Sequence, residues 1–204
     1  MTQTLGIRKA ITNLNEAHRR FEVRPAVDPN FFSEWQAEFP ELSAIEQATC
    51  DRLKIRYQYY QAEGAITEST VNLIVIAPLL EALGLFDPPY KVRGEKYVRI
   101  EIENGETILE GLIDVLLVQD SLWLILLETK RYGFSVMQAL PQTLAYMMSH
   151  PNPESFALIT TGEDYLFVKL DRQTQQYDIS DKFTLSTRQG NQLYRVVQIL
   201  KSFI

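Results

Sequence analysis

The spacing of apolar residues separates a helical N-terminal part from a strand-rich remainder. Residues 3–22 read as a polar helix. After a turn spanning Arg24-Pro25 to Asp28-Pro29, Asp28 is placed to cap a second helix, with Pro29 at its first position. Leu42, Ile45, Leu53, Ile55 and Tyr59 mark a third helix over 41–62, broken by Gly64. From Thr67 a strongly apolar helix runs to Leu83 and stops at Gly84, since glycine accepts the left-handed conformation of a helix end. Pro78 inside it should bend it and free a carbonyl.

After Asp87-Pro88-Pro89 the period changes from helical to alternating. Tyr97, Arg99, Glu101 and Glu103 alternate with Val98, Ile100 and Ile102, which predicts an amphipathic strand over 90–103. Asn104-Gly105 is a hairpin turn signal. Residues 111–118 and 122–129 are nearly continuous apolar runs, as expected of strands covered on both faces. A helix over 135–149, two strands over 156–160 and 165–170, and a last helix near 188–203 complete the pattern. Leu193, Val196, Val197, Leu200 and Phe203 are the core residues expected from that last helix. The sequence predicts an α/β fold, a mixed sheet flanked by helices.

Composition narrows the function classes. The chain has 204 residues, 46% of them hydrophobic and 23% charged, ordinary values for a globular domain. No apolar run approaches the ~20 residues of a membrane helix, and residues 1–9 lack a signal-peptide layout. Neither a membrane association nor export is expected, and a cytoplasmic location is. Cys50 stands alone, and with His18 and His150 it cannot build a structural zinc site. The net charge of −6 argues against a surface that is basic throughout but not against a local basic groove. Residues 1–60 carry equal numbers of acids and bases, so the remainder holds the whole acidic surplus.

Two carboxylates interrupt the apolar strands. Asp114 stands within Gly111–Val118, and Glu128 within Leu122–Lys130. A buried carboxylate costs several kcal/mol, on the order of its desolvation, unless it is paired or bound to a metal. Glu128 and Lys130 point to one face of their strand. If Val118 pairs with Leu122 across a three-residue turn (Gln119-Asp120-Ser121), Asp114 faces Leu126 and Glu128 is its diagonal neighbour on that face. A two-residue turn would put the acids on opposite faces. On one face they offer oxygens to a hard divalent cation, with the Thr129 carbonyl and the Lys130 ammonium beside them. The simpler reading is a salt bridge from Lys130 to Glu128 or Asp114.

Asp114 followed by Glu128-Thr-Lys130 on the next strand resembles the core of the PD-(D/E)xK nuclease superfamily, although Ile113 stands at the usual proline. Residues 67–84 resemble the first helix of the N-terminal nuclease domain of type I restriction enzyme motor subunits, whose helix acid maps to Glu68. Gln142-Thr-Leu-Ala-Tyr146 matches the Q-x-x-x-Y motif of that branch, and Thr160-Thr-Gly162 is similar to its next strand and turn. The basic residue that commonly follows the helix acid is replaced by Ser69-Thr70-Val71. The resemblance covers about residues 65–172. It implies a restriction-endonuclease-like domain over 61–204; residues 1–60 lie outside the resemblance and are expected, from their own pattern, to form an N-terminal helical segment.

The resemblance further implies metal-dependent hydrolysis of DNA, as in restriction or repair. Asp114 and Glu128 would hold Mg²⁺ or Mn²⁺ with the Thr129 carbonyl, and Glu68 would support a second ion or a water. Lys130 would stabilise developing charge. Gln142 and Tyr146, four residues apart on one helical face, would orient Lys130, a carboxylate or a phosphate. Pro141 should kink their helix, and Ser135 with Gln138 should cap its start. Arg131, Lys91 and Arg93 are the candidate substrate contacts. A homodimer or a partner subunit is compatible with cutting two strands. Two other readings share the fold: a non-catalytic module within a complex, and a nuclease acting on RNA.

Overall fold

The computed structural model describes residues 3–102, 106–119 and 122–204. The N-terminal part runs β1 (Gln3–Gly6), α1 (Ile7–Ala10), α2 (Leu14–Phe21), β2 (Arg24–Pro25) and α3 (Ala44–Ala62). Next, α4 (Glu68–Val71) passes through a π-helical turn, Asn72–Ile76, into α5 (Ala77–Ala82). Then come β3 (Tyr90–Ile102), β4 (Thr107–Gln119), β5 (Leu122–Thr129) and α6 (Val136–Met148). The chain closes with β6 (Glu154–Thr160), β7 (Asp164–Asp171), β8 (Gln176–Ile179), β9 (Phe183–Thr184) and α7 (Leu193–Ser202).

Among the described residues the strands form one mixed sheet in the order β1-β4-β5-β6-β7-β8-β2, with β3 also on β4 and β9 on β7. The β3–β4, β4–β5 and β6–β7 pairs are antiparallel. The β5–β6 pair is parallel and is bridged by α6, because a parallel pair needs a crossover. One core packs α1, α2 and α6 on one face of the sheet, around Ile7, Phe21, Leu144 and Tyr146. A second packs α3, α5 and α7 on the other face, around Leu53, Leu79 and Val196. This is the helix-flanked mixed sheet that the sequence predicts. Among the described residues no helix is long and apolar enough to cross a membrane.

Several expectations need correcting. Residues 3–22 are not one helix. Gln3–Gly6 is a strand parallel to Thr107–Glu110, and Asn13 caps α2 by accepting from the Glu16 amide at 3.1 Å. Asp28 caps no helix; its carboxylate turns the chain by accepting from the Asn30 amide at 2.9 Å. Residues 1–60 are not a helical appendage, since β1 and β2 belong to the sheet and Ile7, Ile11 and Phe21 to its core. Ser135 caps α6 without a side-chain bond. Strands β8 and β9 carry too few apolar residues to have been read from the sequence. The Asn104-Gly105 and Asp120-Ser121 positions lie outside the described residues.

Pro78 frees a carbonyl, as expected. It cannot donate to the carbonyl four residues back, and that carbonyl, of Ile74, accepts from Arg56 Nη1 at 3.1 Å. Gly84 ends α5 at φ 69°.

The β3–β4 ribbon changes sides at one level. Tyr90 and Val92 pack on the second core, whereas Val98, Ile100 and Ile102 pack on the first. On β4, Leu117 belongs to the second core and Leu109 and Ile113 to the first. The change falls between Gly94↔Val115 and Lys96↔Ile113, where Glu95 has φ 48° and lies across from Asp114. Leu116 and Val118 still face the first core, so Asp114 sits where the alternation of faces along β4 reverses, half-buried rather than enclosed.

Gly111 permits the closest packing against this ribbon. A Cβ there would stand 2.7 Å from Tyr146 Cε1 and 3.1 Å from both Ile7 Cδ1 and the Tyr146 hydroxyl. Tyr146 is fully buried and its ring cannot yield. We expect Gly111→Ala to destabilise the fold by about 1–3 kcal/mol, the usual cost of overpacking, as read from denaturant unfolding. An unchanged midpoint would refute this packing constraint.

Candidate functional site

The two acids are brought together by a turn and a bulge that the sequence reading did not combine. Gln119 pairs with Leu122, which leaves a two-residue connection rather than three. Without compensation Asp114 and Glu128 would face opposite ways. The register shifts between Leu117 and Val118, so that Leu117 pairs with Ile125 and Val115 with Leu127. One extra residue on β5 restores the common face, and Asp114 and Glu128 are the residues that come next on either strand after the Val115↔Leu127 pair. The Thr129 amide donates to Asp114 Oδ2 at 2.9 Å and fixes that carboxylate against β5.

Glu128 is fully buried and Lys130 nearly so. The Lys130 ammonium donates to Glu128 Oε1 in a short contact. The same oxygen accepts from Gln142 Nε2 at 2.8 Å, and that amide also donates to the Tyr146 hydroxyl at 3.0 Å. Gln142 thus reaches the acid pair directly. Tyr146 is part of the core and is linked to the acid pair through Gln142. Glu128 Oε2 is buried without a hydrogen-bond partner among the described residues.

Two further residues join the site that sequence reasoning did not pick out. Arg8, on α1, donates from Nη2 to Asp114 Oδ1 at 3.3 Å and lies 3.8 Å from Glu128 Oε1. Nothing local marked it, since it stands over a hundred residues from either acid and reaches them only because β1 pairs with β4. Asn72, on the π-helical turn, accepts from the Thr129 hydroxyl at 2.7 Å. The π turn is a signal that often accompanies functional sites, but it is invisible in composition.

Of these groups Arg8, Asn72, Asp114 and Tyr146 line a cleft of about 560 Å³, whose wall also includes Lys9, Glu68 and Glu95, while Glu128 and Lys130 are buried behind it. Glu68 therefore shares the cleft with Asp114. Among the described residues, however, no three His, Cys, Asp or Glu side chains are grouped to hold one metal ion, so Glu68 does not join Asp114 and Glu128 as a third ligand. An adjoining groove is lined by Thr67, Glu68, Ser69 and Arg131. Arg131 lies 5.6 Å from the centre of the Phe134 ring. Lys91 and Arg93 are exposed on β3, opposite Val118 and Leu116, and do not line the cleft. At the level of Asp114 that strand presents Glu95 instead.

Burial first, and the Asp114 charge second, push the Glu128 carboxyl up from 4.5 to about 7, against the pull of Lys130 and Arg8. Burial and the Glu128 charge likewise raise the Tyr146 phenol. A carboxylate with an idle oxygen, a like-charged neighbour and no access to water gains from any cation that can reach it. The fit of a divalent ion is therefore good at Asp114, Glu128 and the backbone beside them.

The raised carboxyl sets a pH dependence. The folded chain keeps on Glu128 a proton that the unfolded chain releases above its ordinary value. This stabilisation is complete below 4.5 and is lost as pH rises through about 7. In chelator, Glu128→Gln should therefore gain stability relative to wild type as the buffer moves from about pH 5 to about pH 8, measured by thermal melts. A constant difference between the two proteins would mean that Glu128 titrates as an ordinary carboxyl.

No family model matches the chain, and no curated protein matches it. Among solved structures, the chain is similar to a fragment described as an HsdR subunit of a type I restriction enzyme from Vibrio vulnificus YJ016, at 19% identity and a TM-score of 0.43. The similarity covers 66% of this chain and 26% of that one, so it spans about a quarter of the structure it resembles.

Proposed function

We propose that the chain is a metal-dependent phosphodiesterase of the PD-(D/E)xK type, cutting DNA with the help of Mg²⁺ or Mn²⁺. One observation carries the reading. Asp114 and Glu128 follow the last β4–β5 pair on adjacent strands, with Lys130 bonded to Glu128 and the second Glu128 oxygen buried and unpartnered among the described residues. A salt bridge alone would leave no reason for that idle oxygen.

Asp114 and Glu128 would hold the ion, with the Thr129 carbonyl as the backbone contributor. When bound, the ion supplies charge neutralisation at the phosphoryl group and a water made easier to deprotonate. Lys130 keeps a donor at the acid pair, where it would stabilise the negative charge that builds on phosphate. Gln142 holds Glu128 in one orientation by spanning it and the Tyr146 hydroxyl. Glu68 stands on the cleft wall as an acid for a second ion or a water, apart from the first pair. Arg131, on the groove beyond Glu68, would grip the backbone of the substrate, and Lys91 and Arg93 would act further out along β3. DNA rather than RNA, a second subunit, and use in restriction or repair belong to the same proposal.

The test has two parts. Millimolar Mg²⁺ or Mn²⁺ should raise the melting temperature of wild type, and Asp114→Asn should remove the rise. No metal-dependent shift in wild type would sink the catalytic reading and favour a non-catalytic module. Lys130→Ala should bind labelled DNA as wild type does, yet cut it more slowly by on the order of 10²–10³, the cost of one well-placed donor. Equal cutting would reduce Lys130 to a structural partner of Glu128. Gln142→Ala should lower cutting by about tenfold, as outer partners of metal ligands do, with little change in unfolding midpoint. A large loss of stability with unchanged cutting would return Gln142 to a packing role.

A further inference from the structure

The N-terminal element brings a cation to the acid pair that no feature of the strands requires. Arg8 sits on a helix of only four residues, held to the sheet by Ile7, which is fully buried beside Gly111. From there one guanidinium nitrogen reaches Asp114 Oδ1 at 3.3 Å and stands 3.8 Å from Glu128 Oε1. The Arg8 side chain remains 54% exposed, so it can leave the pair without opening a core.

A divalent ion shared by two carboxylates must approach their oxygens to roughly 2.0–2.6 Å. A guanidinium within bonding reach of one acid and close to the other takes up part of that space. It also repels a second cation placed there, and partly enclosed surroundings screen that repulsion weakly. Lys130, bonded to Glu128 Oε1 from the strand itself, is fixed by burial and cannot step aside in the same way.

Resting on the metal reading above, we infer that Arg8 is the resident counter-cation of Asp114 and Glu128, and that it competes with the divalent ion for the same two carboxylates. It positions the acids for the ion and sets the ion concentration at which the site loads. Loading requires the guanidinium to withdraw along the cleft wall, where Glu95 and Glu110 offer it alternative acids. The role is one of positioning, since Arg8 acts through the carboxylates.

Isothermal titration of Mn²⁺ into the full chain, without nucleic acid and at fixed ionic strength, tests the inference. Arg8→Gln removes the charge and leaves a shorter side chain with an amide donor, and it should bind Mn²⁺ at least about tenfold tighter than wild type. That is the low end of what one adjacent charge does to a carboxylate's affinity for a proton. Arg8→Met, a second neutral variant, should agree, and Arg8→Lys should stay near wild type. Asp114→Asn should abolish binding in either background and so identify the site. Neutral variants that bind Mn²⁺ no more tightly than wild type overturn the inference, as does an Arg8→Lys protein as tight as Arg8→Gln. In both cases the metal site itself stands. If neither wild type nor the neutral variants bind Mn²⁺, or if Asp114→Asn binds it unchanged, the metal reading falls and the inference with it.

Discussion

The carboxylate of Glu128 is the constraint to which the neighbouring elements answer. It is enclosed at the end of β5, where an unpaired charge would cost several kcal/mol, on the order found when a buried ion pair is broken. Its Oε1 gathers donors from separate parts of the chain: Lys130 from the strand end, Gln142 from α6, and Arg8 at longer range from α1. Its Oε2 receives none among the described residues. A group satisfied on one side and idle on the other is poorly explained as a stabilising device, since an apolar residue would pack there at lower cost. The proposed function takes it as a ligand and rests on this asymmetry.

The surrounding architecture supplies those donors through unusual local features. The extra residue on β5, between Trp123 and Ile125, restores a common face to the two acids that the short β4–β5 connection would have parted. Gly111 lets the Tyr146 ring and Ile7 lie directly on β4, and Tyr146 in turn holds Gln142. Thr129 serves twice, its amide fixing Asp114 and its hydroxyl tying β5 to Asn72 on the π-helical turn. That turn lies four residues after Glu68, so the same helix places an acid on the cleft wall and anchors itself to the strand.

The charge of the cleft fits a site that needs a cation before it can receive an anion. Glu68, Glu95, Glu110 and Asp114 line it against Arg8 and Lys9. Such a wall repels phosphate and attracts divalent ions. In the proposed reaction the ion reverses that balance locally, while Arg131 and the exposed bases of β3 act at the margins. The overall charge of −6 is therefore compatible with a polyanionic substrate.

Much of this was legible in the sequence because it depends on local rules. The change from helical to alternating period located the sheet. Two acids in otherwise apolar strands announced a buried polar site, because such residues are expensive without partners. Gln142 and Tyr146 were readable as one helical face from their spacing, and Pro78 announced the carbonyl that Arg56 now satisfies. What the sequence could not decide depends on residues that are distant along the chain. Residues 3–6 read as helix because their backbone partners lie a hundred residues away in β4. Arg8 follows from that pairing and from no pattern of its own. The register of β4 and β5 turned on a bulge, whose single extra residue leaves no mark in an apolar run yet determines whether Asp114 and Glu128 meet. Local spacing fixes which faces a residue can have. Only the packing of the whole sheet decides what stands opposite.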